Sequence, residues 1–149
     1  MFWMEFGWQD WIWFSFEKMY GLIFGLHGGG YKDGGLYLVD EKEYLVIRDF
    51  DIDRPKWAYS PVLQNHIPTA VTIRALTDKG TLFLEGTAVR SQPWRKINKY
   101  VPAMTMPAAD MEFQWKGSFA FKDGRTIVLD RGKGGSEYFA VYNFAQSNP

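Results

Sequence analysis

Cysteine is absent from these 149 residues, so the chain has neither a disulfide framework nor a thiolate zinc site. Histidine is nearly as scarce. His27 and His66 have no third spaced ligand beside them, which makes a poor metal set. An excess of either charge is missing too: 17 Lys and Arg balance 17 Asp and Glu. The basic pairings Arg95/Lys96 and Arg131/Lys133 are too sparse for the phosphate neutralisation that nucleic-acid binding needs. The apolar start, Met1 to Phe16, has no basic leader and carries Glu5 and Asp10 within it, so it does not read as a secretory signal. The uncharged run Met19 to Tyr31 is 13 residues with five Gly, well short of the roughly 20 a membrane helix needs. The expectation is a cytoplasmic protein with no membrane span. P-loop, GxGxxG, GxSxG and HExxH signatures are all lacking, and Gly28-Gly29-Gly30 has neither the Lys nor the following helix of a phosphate cradle. No cofactor is implied.

Aromatics, by contrast, are abundant: seven Trp, eight Tyr and twelve Phe. Large rings favour pleated, half-buried surfaces and supply concave apolar wall. Helical spacing is nearly absent, while period-two alternation recurs between Gly, Asp and Pro punctuation. A short first strand is expected over Phe2 to Phe6. Trp11 to Lys18 follows, apolar on both parities until its end. Met19-Tyr20-Gly21 reads as a turn into Leu22 to His27, and Gly28 to Gly35 as a loop. Leu36 to Asp40 and Glu43 to Ile52 form a hairpin about Asp40-Glu41-Lys42. Pro55, Pro61 and Pro68 predict a long connection from Asp53 to Pro68, holding Trp57, Tyr59 and His66.

Thr69 to Thr77 and Thr81 to Arg90 make a second hairpin, with a further loop from Ser91 to Ala109. The clearest strand then puts Met111, Phe113, Trp115, Gly117, Phe119 and Phe121 on one face, and Glu112, Gln114, Lys116 and Ser118 on the other. Asp123-Gly124 turns the chain into Arg125 to Asp130, and Ser136 to Phe144 closes after Gly132 to Gly135. Eight or nine antiparallel strands must manage their edges, and an all-β, up-and-down barrel does so by closing. Gly86 and Gly117, inside strand patterns, favour the bends of a barrel over a sandwich. The whole chain, 1–149, is expected to be one such domain.

Several of these segments, taken together, resemble the second barrel of the lipocalin-like hydroxyneurosporene synthase and AttH-like group. They are Trp11-Ile12-Trp13-Phe14-Ser15-Phe16 with the strand Leu22 to Leu26, the hairpin strand Gly35 to Asp40, Trp57 with Ser60-Pro61, Pro68, Phe113-x-Trp115-x-Gly117 and Gly134-Gly135-Ser136-Glu137-Tyr138. That group includes carotenoid 1,2-hydratases, and Diels-Alderase relatives and tocopherol cyclases are distantly similar to it. The resemblance spans most of Gly7 to Tyr142. It implies a barrel that takes an isoprenoid or polyketide, and hydration or cyclisation as its chemistry. Two departures stand out. The group carries two barrels where this chain has length for one, and the acid of its Trp-Asp-Trp motif is Ile12 here, the nearest acid being Asp10.

Candidate wall residues for an apolar ligand are Trp11, Trp13, Trp57, Phe83, Trp115 and Tyr138; each serves equally as core packing. Candidate proton donors are Asp10, Glu85 and His66, with His27 as a further apt imidazole. Glu85 interrupts an apolar strand. Pointed inward it is a desolvated acid; pointed outward it is a solvated carboxylate that can pair with Arg74. Three functions remain open: a binder of an apolar small molecule, a cofactor-independent cyclase or hydratase in the same cavity, and a side-chain-filled barrel that acts through an interface as a homodimer.

Overall fold

The computed structural model describes residues 9–26, 31–62, 65–96 and 106–139. They form eight strands: β1 (Gln9–Ser15), β2 (Met19–Leu26), β3 (Tyr31–Leu38), β4 (Glu43–Ser60), β5 (Asn65–Thr77), β6 (Gly80–Lys96), β7 (Met106–Phe121) and β8 (Thr126–Phe139). Each pairs antiparallel with its neighbours in sequence, and β8 returns to pair with β1, closing an up-and-down barrel. Closure leaves the core of the sheet without an edge.

Alternation decides what fills the barrel. On β7, Met111, Phe113, Trp115, Phe119 and Phe121 are buried, while Glu112, Gln114 and Lys116 are exposed. Matching inward residues on the other strands include Ile12, Phe14, Ile23, Leu36, Ile73, Leu82 and Leu84, all almost wholly buried. An eight-stranded barrel is about wide enough for its own side chains to fill it, and from the closed end up to Trp115 they do.

The two ends differ. Four tight turns close one end, and they are tied together: Val39 N–H donates to the Lys18 carbonyl at 3.0 Å, and Lys122 N–H to that of Lys79 at 2.8 Å. Thr77 Oγ1 accepts from the Gly80 amide and donates to the Gly80 carbonyl, holding the Asp78-Lys79 turn. Phe16 and Phe121 plug this end, with the Arg125 guanidinium 4.2 Å over the Phe121 ring. At the other end, β4 to β7 rise above the short β1 to β3, while β8 ends level with β1, Phe139 opposite Gln9.

Several connections expected from proline and glycine are strand instead. Asp53 to Ser60 and Asn65 to Pro68 continue β4 and β5, and Ser91 to Lys96 and Met106 to Ala109 continue β6 and β7. Proline is tolerated because Pro55, Pro68, Pro93 and Pro107 stand where their strand has a paired neighbour on no more than one side. Pro55 sits in a register shift between Asp53 and Lys56. Met19 to Gly21 belong to β2, the turn being Phe16 to Lys18, and Tyr31 to Gly35 belong to β3. Gly132 to Gly135 stay inside one continuous β8, since a strand packed against large rings needs residues without side chains. The expected strand Phe2 to Phe6, His27 and the end of the closing strand after Phe139 lie outside the described residues.

Gly117 marks such a close approach: a Cβ there would strike the Phe83 carbonyl oxygen and the Leu84 Cα. Gly117→Ala is therefore expected to lower the unfolding free energy by about 1–3 kcal/mol in urea titration. Gly124→Asn, at a turn with φ 95° and open space around it, should cost less.

Candidate functional site

Trp115 holds the middle of the lumen. Its six-membered ring covers Gly86, its cross-strand partner on β6, and its Nε1 faces Gly134 on β8, where a Cβ would lie 2.8 Å away. Phe113 packs beside it with ring centroids 5.1 Å apart. The indole N–H is fully buried and has no hydrogen-bond acceptor among the described residues. One inward step further along β8 stands Ser136, buried and paired in register with Ile12 and Met111. The wall of β7 and β8 thus carries two polar groups, Trp115 Nε1 and the Ser136 hydroxyl, among apolar neighbours. Ser136 carried no functional signal in the sequence, where it reads only as the first residue of the closing strand. The other buried polar residues are Thr77, used by its turn, and Ser60 at the far end of β4.

Most of the expected wall residues stand elsewhere. Trp11, Trp13 and Phe83 are on the outer surface, at 42%, 45% and 43% exposure, because Ile12, Phe14, Leu82 and Leu84 take the inward parity. Trp57 is also exposed, its indole donating to the Arg54 carbonyl at 2.9 Å. Trp115 alone of these is inside. Tyr138 and Asp10 are described in backbone only: they pair with each other, Asp10 also with Gly25, near the open end.

The proton donors are not brought together. Glu85 points outward and pairs at 3.0 Å with Lys116 of β7 rather than with Arg74, which sits opposite Phe83. His66 is exposed, edge-on to Tyr59 at 5.5 Å. Among the described residues no group of three or more His, Asp or Glu is placed to hold a metal ion, and no helix is long and apolar enough to cross a membrane.

Towards the open end Lys32 lies between two carboxylates, Asp49 at 2.7 Å and Asp51 at 3.9 Å. β3 and β4 are paired only from Gly35 to Leu38, and beyond that the Lys32 ammonium bridges the gap, donating to the Phe50 carbonyl at 2.6 Å and to Asp49 at 2.7 Å. That hydrogen bond, helped by the Phe50 amide, holds the Asp49 carboxyl below its ordinary range. Asp78 is lowered likewise by Arg48, and Asp123 by the backbone and side chain of Arg125.

Neither the family models nor the curated proteins contain a match to this chain. Among solved structures it is similar to kievitone hydratase from Nectria haematococca, with a TM-score of 0.54 and 9% identity over 93% of this chain. At that identity the likeness is one of fold. This chain spans 40% of the length of that protein.

Two measurements check the electrostatics. Because Glu85 and Lys116 form an exposed pair, Glu85→Gln should change stability by no more than about 0.5 kcal/mol in urea titration; a large loss would require a buried carboxylate. A depressed carboxylate contributes stability that is complete above its unfolded pKa and is lost as pH falls through the lower folded value. Melting temperature should therefore fall on acidification below the ordinary carboxylate range. Lys32→Met should flatten that fall by removing the Asp49 share, and an unchanged slope would exclude the coupling.

Proposed function

We propose that the barrel is a binding module for an apolar small molecule, of isoprenoid or polyketide type, that carries one hydrogen-bond acceptor. The ligand lies in the upper lumen, between Trp115 and the open end. The observation that carries this reading is the buried Trp115 N–H without an acceptor. An unsatisfied buried donor costs about 1–3 kcal/mol unless something accepts from it. A ligand carbonyl or hydroxyl beside Gly134 restores the missing bond, with Ser136 one step above as a second polar contact.

The surroundings support access from the open end. Directly above Trp115 the lumen is lined by the Phe113 ring, and beyond it by Met111, Ala109 and Ala88, small or flexible side chains that can yield, whereas below it Phe14, Phe119 and Leu84 are packed together. The tall strands extend this apolar lining through Ile52, Ile67 and Val71.

Hydration or cyclisation by acid is the weaker reading. The position that carries the acid in the resembled Trp-Asp-Trp motif is Ile12, which faces the lumen at 1% exposure. Glu85 and His66 stand outside it, and no described carboxylate or imidazole is buried within.

Titration with an isoprenoid ketone and with the hydrocarbon of the same shape, followed by tryptophan fluorescence and calorimetry, tests the proposal. The ketone should bind about tenfold more tightly, the worth of one hydrogen bond in a dry site. Trp115→Phe should abolish that preference while keeping the fold by circular dichroism. If the preference survives the substitution, or neither compound binds, the reading is wrong.

A further inference from the structure

The outer surface of the barrel is not uniform. Across β1 to β4 the outward residues form successive cross-strand rows: Trp11 with Phe24; Trp13, Leu22, Gly35 and Val46; and Ser15, Tyr20, Tyr37 and Tyr44. Trp11 packs edge-on to Phe24 at 5.7 Å and Phe24 to Tyr31 at 5.9 Å, while Tyr20 stacks on Tyr37 at 5.2 Å. Asp33 lies among these rows, and the Tyr31 hydroxyl and the Gly34 amide donate to it, while the exposed charges of β4 flank the face, Arg48 paired with Asp78 and Asp49 with Lys32. The outer face of β5 to β8 is more mixed: Arg74, Glu112 and Lys116 are exposed and Glu85 half-buried, with Phe83 between Arg74 and Ser118, and Val89 and Val128 exposed as scattered apolar side chains.

From this face we infer that the chain forms a two-fold symmetric homodimer through the outer surface of β1 to β4. Seven side chains there, from Leu22 at 37% exposure to Tyr44 at 63%, leave accessible a contiguous apolar area of roughly 700 Å² for groups of this size. Monomers rarely expose more than about 300–600 Å² in one patch, and a standard interface takes about 800 Å² from each partner.

The relief of the face makes it complementary to itself. Trp11 and Trp13 form a ridge on β1. Two strands away lies a groove of about 480 Å³ with Gly34 and Gly35 in its floor and Leu22, Phe24, Tyr20 and Tyr44 along its sides. A two-fold axis through β2, near Leu22, seats the ridge of each copy in the groove of the other, which is the isologous arrangement a closed dimer requires. Balanced net charge adds no repulsion between copies.

Sedimentation velocity across the micromolar range, with circular dichroism as the check on folding, decides the matter. The native chain of 17.3 kDa should sediment as a dimer. The double substitution Leu22→Lys and Val46→Lys places two ammonium groups at the centre of the face and should weaken association at least about 100-fold, because buried charges without partners are strongly disfavoured. Val128→Lys, on the exposed outer surface of β8, should leave the dimer intact. A monomeric native chain, or a dimer indifferent to the lysine pair, overturns the inference.

Discussion

The lumen of an eight-stranded barrel has a nearly fixed width, and the rest of this structure depends on sharing it between rings and glycines. Each large inward ring lies where a facing strand has no side chain. Phe14 covers Gly21, Phe16 covers Gly132, and Trp115 lies between Gly86 and Gly134. A Cβ at any of these glycines would meet the ring itself or its indole nitrogen, so ring and glycine are one packing unit. Interiors at crystal-like density transmit such fits from one tier to the next. This explains how a chain rich in both aromatics and glycine makes a solid core, two compositional signals that taken separately point to strand and to loop.

The fit is tight only part of the way up. Turns tied to one another and the Phe16 and Phe121 plug make the closed end rigid. At the open end the strands differ in height, and β3 parts from β4 after four residue pairs. The shift in register between Ile47 and Asp49 turns β4 away, leaving the Phe50 carbonyl without a strand partner on that side. Lys32 supplies the missing donor with a side chain. A backbone ladder would have fixed the width of this seam; a lysine with a flexible stem fixes it less, and does so through an ion pair that acid weakens. The part of the barrel nearest its opening is therefore the part held by its most adjustable contacts.

Much of this was legible in the residues, and what was not has physical causes. The alternation from Met111 to Phe121 announces its own inner face because charge and ring exchange at every step. Hairpin turns at Asp40, Asp78 and Asp123 are equally plain, and together they lead to a closed antiparallel barrel. Trp11 to Phe16 is apolar on both parities, so its face cannot be read without its partners: Ile12 goes inward because Ile23 and Ser136 do. Glu85 is the same case, its direction set by Trp115 lying over Gly86 next door. The proline stretches misled because proline opposes a strand only where both sides are paired, and the unequal strand heights that free one side belong to the closed barrel alone.

The two populations of aromatic residue follow from these same constraints. Trp115, Phe14, Phe113 and Phe119 are inside because glycines make room for them, and the room is then used up. Trp11, Trp13, Tyr20 and Tyr44 cannot be core, since every inward position on their strands is already taken. Their exposure is costly by the area rule that drives folding, on the order of 25 cal/mol for each Å² left in water. That cost is heaviest on one side of the cylinder, where Trp11, Trp13, Leu22, Tyr20 and Tyr44 adjoin one another, and lighter on the other, where Phe83, Val89 and Val128 are separated by exposed charges. A lumen that needed only to be filled would place no demand on the outside of β1 to β4. The outer rows of β1 to β4 are therefore not accounted for by the filling of the barrel.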